Sequence, residues 1–200
     1  MKLTWKSGNT LVLEFDNLTV LVNPAEYERE TEPDLVIATS VSDASVSALS
    51  KYEKSGARLL VNEGVYRLIL QSDTAVLFAP HSVWSERGIT FYAVKAETLD
   101  RTAIGVIVDD GDKTYYIAGS TLYNFDVIDD CLDLAPDGVD LAILPVSGKK
   151  CTMNARDAAD FAYEIGAKCA VPVGFDTPDA AAAFDFDDAA ILEREGTLEF

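Results

Sequence analysis

Histidine is nearly missing from this chain: among 200 residues there is one, His81. A zinc centre takes about three protein ligands, mostly imidazole, thiolate or carboxylate, so composition excludes one built on histidines. Cysteine is scarce too. Cys131, Cys151 and Cys169 are odd in number and lack Cys-x-x-Cys spacing, which argues against a zinc knuckle or disulfide framework and for reduced thiols in a cytoplasm. Positive charge is short, with 16 Lys and Arg against 34 Asp and Glu, a net charge of −18. So acidic a surface repels phosphate backbones and anionic lipid, which excludes nucleic acid and membrane as partners. No apolar run approaches the ~18 residues of a membrane span. The opening MKLTW leads straight into a strand pattern with no signal peptide. A cytoplasmic protein is expected.

What is present suits a packed core: 48% of residues are hydrophobic and 10% aromatic, too many for a disordered chain. No Pro/Gly/Ser linker divides it, so one domain over 1–200 is expected. The acidic residues are spread along the chain rather than gathered in a tail and read as a solvated surface. Alternation predicts three short strands over 2–22 and a hairpin about Asp109-Asp110-Gly111-Asp112. Continuous apolar runs predict buried strands at 35–38, 57–61, 139–145 and 169–173. Helical spacing covers 43–54, 65–70, 127–134 and 155–165, the last capped by Asn154 and closed by Gly166. The alanine-rich acidic stretch at 178–195 reads as a helix and 197–200 as a last strand. Hairpins followed by strand–helix–strand, repeated once, predict two packed sheets with helices outside. Tyr115, Tyr116, Trp84, Phe91 and Tyr92 read as core, and Tyr123 and Phe125 as candidates for a cleft mouth.

The stretch LVIATSVSDAS at 35–45 stands out. A buried strand that breaks into small polar residues and then a helix is where open α/β sheets place their sites. Its side chains offer no strong base. A serine nucleophile needs one, usually histidine, and none is near. Two readings follow: hydroxyls that fill the site and cap a helix, with Ser42 or Asp43 as the N-cap, or a small-ligand pocket of hydroxyls and helix N-terminal N–H groups. Asp43, Glu97 and Asp176 form a candidate carboxylate cluster for a hard cation. Cys151, beside Lys149 and Lys150, is a candidate reactive thiol.

In order and spacing these motifs resemble the metallo-β-lactamase-fold hydrolases, in particular the metal-dependent hydrolase branch that includes the ascorbate-6-phosphate lactonase-like proteins. LTWKSGNTLVLEF and VLVNP are similar to that branch's strand–Gly-His–strand opening and Asp-Pro. LVIATSVSDAS stands at its Thr-His-x-His-x-Asp-His signature, TYYIAGST at its Gly-Asp-Thr turn, and the stretch at 141–177 at its late strand, loop, helix and strand. The resemblance implies a four-layer αβ/βα sandwich and a dinuclear zinc site. The ligand positions differ throughout. Ser40 and Ser42 stand for the paired histidines, Ala44 and Ser45 for the Asp and third His, Ser120 for the bridging Asp, and Gly174 for the late His. Asn23 stands for the Asp of Asp-Pro, Ser7-Gly8 for Gly-His, and the region of Ala96 and Glu97 carries no histidine. Bound zinc lowers the pKa of its water from ~15.7 to ~7, and serine and glycine do not replace it. No cofactor is therefore expected.

Asp43, Glu97, Thr121, Cys151 and Asp176 are the candidate lining of the vacated pocket. Three functional readings follow. The first is a non-catalytic homologue that binds a small molecule or a protein partner. The second is a phosphodiesterase- or lactonase-type hydrolase using a carboxylate-held metal or Cys151. The third is a structural subunit acting through homo-oligomerisation.

Overall fold

The computed structural model describes residues 1–69, 72–149 and 151–200. The expected helix at 65–70 therefore loses its last residue, Leu70, to the part not described, and Lys150 beside Cys151 also lies outside it. In spatial order the first sheet is β13 (Thr197–Glu199), β1 (Lys2–Ser7), β2 (Thr10–Glu14), β3 (Thr19–Val22), β4 (Leu35–Ala38), β5 (Arg58–Val61) and β6 (Ala75–Leu77). The second is β12 (Cys169–Val173), β11 (Leu141–Pro145), β10 (Thr114–Ile117), β9 (Ile104–Asp109), β8 (Ile89–Lys95) and β7 (Val83–Glu86). Each sheet begins in antiparallel hairpins and ends in parallel strands: β3 to β6 in one, β10 to β12 in the other. The two sheets thus repeat one plan.

Alternation along each strand sorts side chains into layers, because successive residues face opposite sides of a sheet. In β4, Leu35 and Ile37 enter the core between the sheets, while Val36 and Ala38 turn outward. The outward set meets α1 (Val46–Lys54), through Ala48, Leu49 and Tyr52, and α2 (Glu63–Leu68), through Val65. The second sheet does the same: Leu141 and Ile143 point inward, and Ala142 and Leu144 meet α3 (Phe125–Leu134) and α4 (Ala155–Glu164). The result is helix, sheet, sheet, helix, the expected four-layer sandwich. Truncating a fully buried member such as Leu35 to Ala costs about 3 kcal/mol. Among the described residues no helix is long and apolar enough to cross a membrane.

Two expectations fail. The helix at 43–54 starts at Val46, and its N-cap is Ser45, which accepts from Ala48 N–H at 3.4 Å; neither Ser42 nor Asp43 caps it, because the Asp43 carboxylate is engaged elsewhere. The stretch at 178–195 is helical only over α5 (Pro178–Ala182). Phe184 and Phe186, two apart, are both buried in the layer that holds α4, which suits an extended chain and not a helix. Ala189 bridges Ala170 beyond β12.

Candidate functional site

The parallel strands β3, β4, β10, β11 and β12 all deliver their C-terminal ends to one edge of the sandwich, and the β1–β2 turn reaches the same edge. Ligand sites of α/β sheets lie outside such strand ends. Asn23, directly after β3, is fully buried at φ +50°, a left-handed conformation that asparagine tolerates through local hydrogen bonds. Its Oδ1 accepts the Thr39 N–H at 2.8 Å, and its Nδ2 donates to Thr39 Oγ1 at 2.9 Å. Thr39 in turn presses against Gly119 after β10: a Cβ on Gly119, at φ +60°, would sit 2.5 Å from Thr39 Oγ1. Only glycine lets the two sheets meet there.

Above this contact Asp43 joins the walls of the site. Its Oδ1 accepts Ser120 Oγ–H at 2.7 Å and Asn9 Nδ2 at 3.1 Å. Its Oδ2 accepts the Ser120 N–H at 3.1 Å and Thr39 Oγ1 at 3.4 Å. Asn9 Nδ2 also reaches Ser120 Oγ at 3.0 Å. One carboxylate therefore ties the β1–β2 turn and the β4 loop to the β10 loop of the opposite sheet, with both oxygens filled by protein donors. Hydrogen bonds to a charged acceptor contribute about 1.5–3 kcal/mol each.

This network floors an open cleft of 580 Å³ lined by Ser7, Gly8, Asn9, Thr10, Ala25, Ser42, Asp43, Ser120, Ser147, Lys149, Cys151, Thr152 and Gly174. Of the residues singled out in the sequence, Ser7, Gly8, Ser42, Asp43, Ser120, Lys149, Cys151 and Gly174 line it. Ser40 lies beneath, its hydroxyl bonded to Ser42 Oγ at 2.9 Å and accepting the Asp43 N–H at 3.1 Å. Asn23 and Ala44 are buried below the floor. Ser45 is spent on its cap, and no residue of the first turn of α1 lines the cleft.

Glu97, Asp43 and Asp176 are not gathered into a carboxylate cluster. Glu97 gives its backbone to Thr121 Oγ1 and Leu122, and neither it nor the fully buried Thr121 reaches the cleft. Asp176 is exposed and paired with Lys149 Nζ at 2.8 Å. Tyr123 and Phe125 turn away: Tyr123 packs edge-on to Phe161 of α4, and Phe125 faces solvent. His81 is an exposed turn residue at φ +69° between β6 and β7. Asn9 is the contributor the sequence reading missed. The residue after Gly8, and not the pair Ser7-Gly8, reaches the centre; moving the Gly-His comparison along by one position would have found it.

The donor set does not fit zinc. The cleft offers hydroxyls, amides, one saturated carboxylate and one thiol. Among the described residues no three His, Cys, Asp or Glu side chains stand together to hold a metal ion.

A second network adjoins the first through the same loop. Asp100 Oδ2 accepts the Val41 N–H at 3.2 Å, and its Oδ1 accepts Thr102 Oγ1–H at 2.6 Å and N–H at 3.0 Å. The buried N-cap of α2, Asn62, donates through Nδ2 to Thr102 O and Oγ1, both at 2.9 Å. Burial pushes the Asp100 carboxyl pKa up, but the hydrogen bonds from Thr102 and Val41 outweigh it and hold the value below the usual carboxylate range.

This architecture is the metallo-β-lactamase fold. No protein-family model matches the chain, and no curated protein matches it by sequence. Solved structures match it over its full length. Igni18, a metallo hydrolase from the hyperthermophilic archaeon Ignicoccus hospitalis, is 19% identical, with a TM-score of 0.79 over 100% of this chain and 98% of that one. The metallo-β-lactamase-fold protein YhfI from Bacillus subtilis is 16% identical, at 0.79 over 99% of both chains. CmlA, a diiron β-hydroxylase from Streptomyces venezuelae, is 11% identical, at 0.75 over 100% of this chain and 54% of that one. A hydrolase and a hydroxylase share the scaffold, so the reaction must be argued from the site.

Proposed function

We propose that this protein is a zinc-free member of the metallo-β-lactamase fold whose cleft binds a small polar molecule without hydrolysing it. One observation carries the reading: the cleft's single carboxylate, Asp43, is filled by Ser120, Asn9 and Thr39. A metal ligand needs a free lone pair directed at the ion, and a hydrolytic centre needs a base or a Lewis acid. The cleft has hydroxyls and amides in their place, groups that recognise a ligand by hydrogen bonding.

Metal analysis of protein produced in zinc-, manganese- and iron-supplemented medium tests this. Substoichiometric metal, a melting temperature unmoved by chelator, and no turnover of lactone or phosphodiester substrates are expected. One or two ions per chain, or metal-stimulated turnover, overturns it. A hydrolase acting through Cys151 has one observation in its favour, the thiol's place in the cleft lining. That reading requires turnover abolished by Cys151→Ser.

A further inference from the structure

Beside the cleft lies a second chamber of 630 Å³ with an aromatic floor. Its floor is the Trp5–Phe175 pair, with ring centroids 4.5 Å apart; Ala181, Ile191 and Leu192 form apolar walls, and Asp176, Thr177, Glu193 and Arg194 complete the lining. Each chamber is of ligand size, within about 300–1,000 Å³. Ser7 and Gly8 line both, so among the described residues the tip of the β1–β2 turn is the wall they share. That wall is low. A Cβ on Gly8 would meet nothing within 4 Å, and the Trp5 indole N–H holds the Gly8 carbonyl at 2.9 Å.

We propose that the two chambers take one amphiphilic molecule, with an uncharged hydroxyl-rich head over Ser42, Ser120 and Thr152 and an alkyl or aromatic tail against Trp5, Phe175 and Ile191. The inference rests on the metal-free binding reading above and adds the ligand class. Charge selects the head. Among the described residues the cleft's cation, Lys149, is paired with Asp176, and its anion, Asp43, already accepts from Ser120 Oγ–H, the Ser120 N–H and Asn9. A charged head therefore meets no free counter-charge among the described residues and loses its hydration uncompensated. An anionic head is further opposed by the net charge of −18. Hydroxyls, by contrast, find partners in the open Ser42 and the Ser147–Thr152 pair. The tail gains by leaving water for the aromatic floor, about 0.8 kcal/mol per buried methylene.

The chain has two tryptophans, so a Trp84→Phe background leaves Trp5, in the chamber floor, as the only indole reporter. Titration with hexyl β-D-glucoside, hexyltrimethylammonium and hexyl phosphate varies the head on one tail. The expected result is a saturable change in Trp5 emission with the glucoside, with each charged head at least about tenfold weaker. Ile191→Asp, at a half-exposed rim position, should weaken the glucoside by about tenfold while circular dichroism stays unchanged. Leu99→Asp, on an exposed loop outside both chambers, should leave it unaltered. Equal responses to all three heads, no saturation, or indifference to Ile191→Asp overturns the inference. Metal content measured on the same samples keeps the two readings apart: stoichiometric metal defeats the metal-free reading itself, while metal-free protein that ignores the probes defeats only the amphiphile.

Discussion

Two carboxylates separated by six elements of the chain meet at one loop. Asp100 holds the loop from outside at Val41, and Asp43, within the loop, reaches across to the opposite sheet. Asp100 sits in a closed knot in which Thr102, Asn62 and Gly64 answer one another. Asp43 stands at the base of a cavity open to solvent, yet it is bonded in the same way. A carboxylate kept for a cation leaves lone pairs free; one kept for the scaffold fills them. By that criterion Asp43 belongs with Asp100.

The comparison can be broken at several points. The hardest blow is Gly119→Ala, which puts a Cβ into Thr39 at a positive φ and should cost about 3 kcal/mol or more in urea unfolding. A loss below about 1 kcal/mol would mean the sheets are not locked together there. Next comes Asp43→Ala, which strips Ser120 N–H and Asn9 of their acceptor. It should destabilise by about 2–3 kcal/mol, where removal of a free metal-ligating carboxylate from the metal-free protein would be neutral or stabilising. Asp100→Ala should cost less, about 1–2 kcal/mol, since its bonds are made within neighbouring loops and it is partly screened.

The smallest effect is with acid. The Asp100 carboxyl is held low as described. Asp110 is also held low: burial raises its pKa, but the Tyr115 hydroxyl at 2.6 Å and the amides of Lys113 and Asp112 outweigh that. Both folded-state values lie below the unfolded ones. Their stabilisation is therefore complete above the ordinary carboxylate range and lost as pH falls through the folded values. Thermal unfolding across the acid range should show this decline, shallower in Asp100→Asn. An unchanged slope in that variant would remove Asp100 from the account.

Much of the scaffold was legible because buried strands are written as continuous apolar runs such as Leu35–Ala38, in which Leu35 and Ile37 enter the core between the sheets and Val36 and Ala38 meet the helices. Legible too was the meeting of Ser42, Asp43 and Ser120 at one cleft, since they lie at strand ends whose order is read from the sequence. Asn9 was not, because a turn residue's direction depends on Gly8 before it and on the sheet it folds over. The stretch at 178–195 was misread for a related reason: its alanines favour a helix locally, but burying both Phe184 and Phe186 matters more. Ser45 and Asp43 exchanged roles because a cap and a cross-sheet partner are chemically alike, and only the position of Ser120 separates them.

The Asp43 network also bears on when the cleft comes into being. The bonds among Asp43, Asn9 and Ser120 join residues 34, 77 and 111 positions apart, so none of these forms until distant parts of the chain have been brought together. Contacts of such long range are slow to close, which makes the cleft a late product of folding with no existence in a half-built chain. A molecule that binds there therefore binds the finished fold alone, and by mass action it raises the stability of the whole protein.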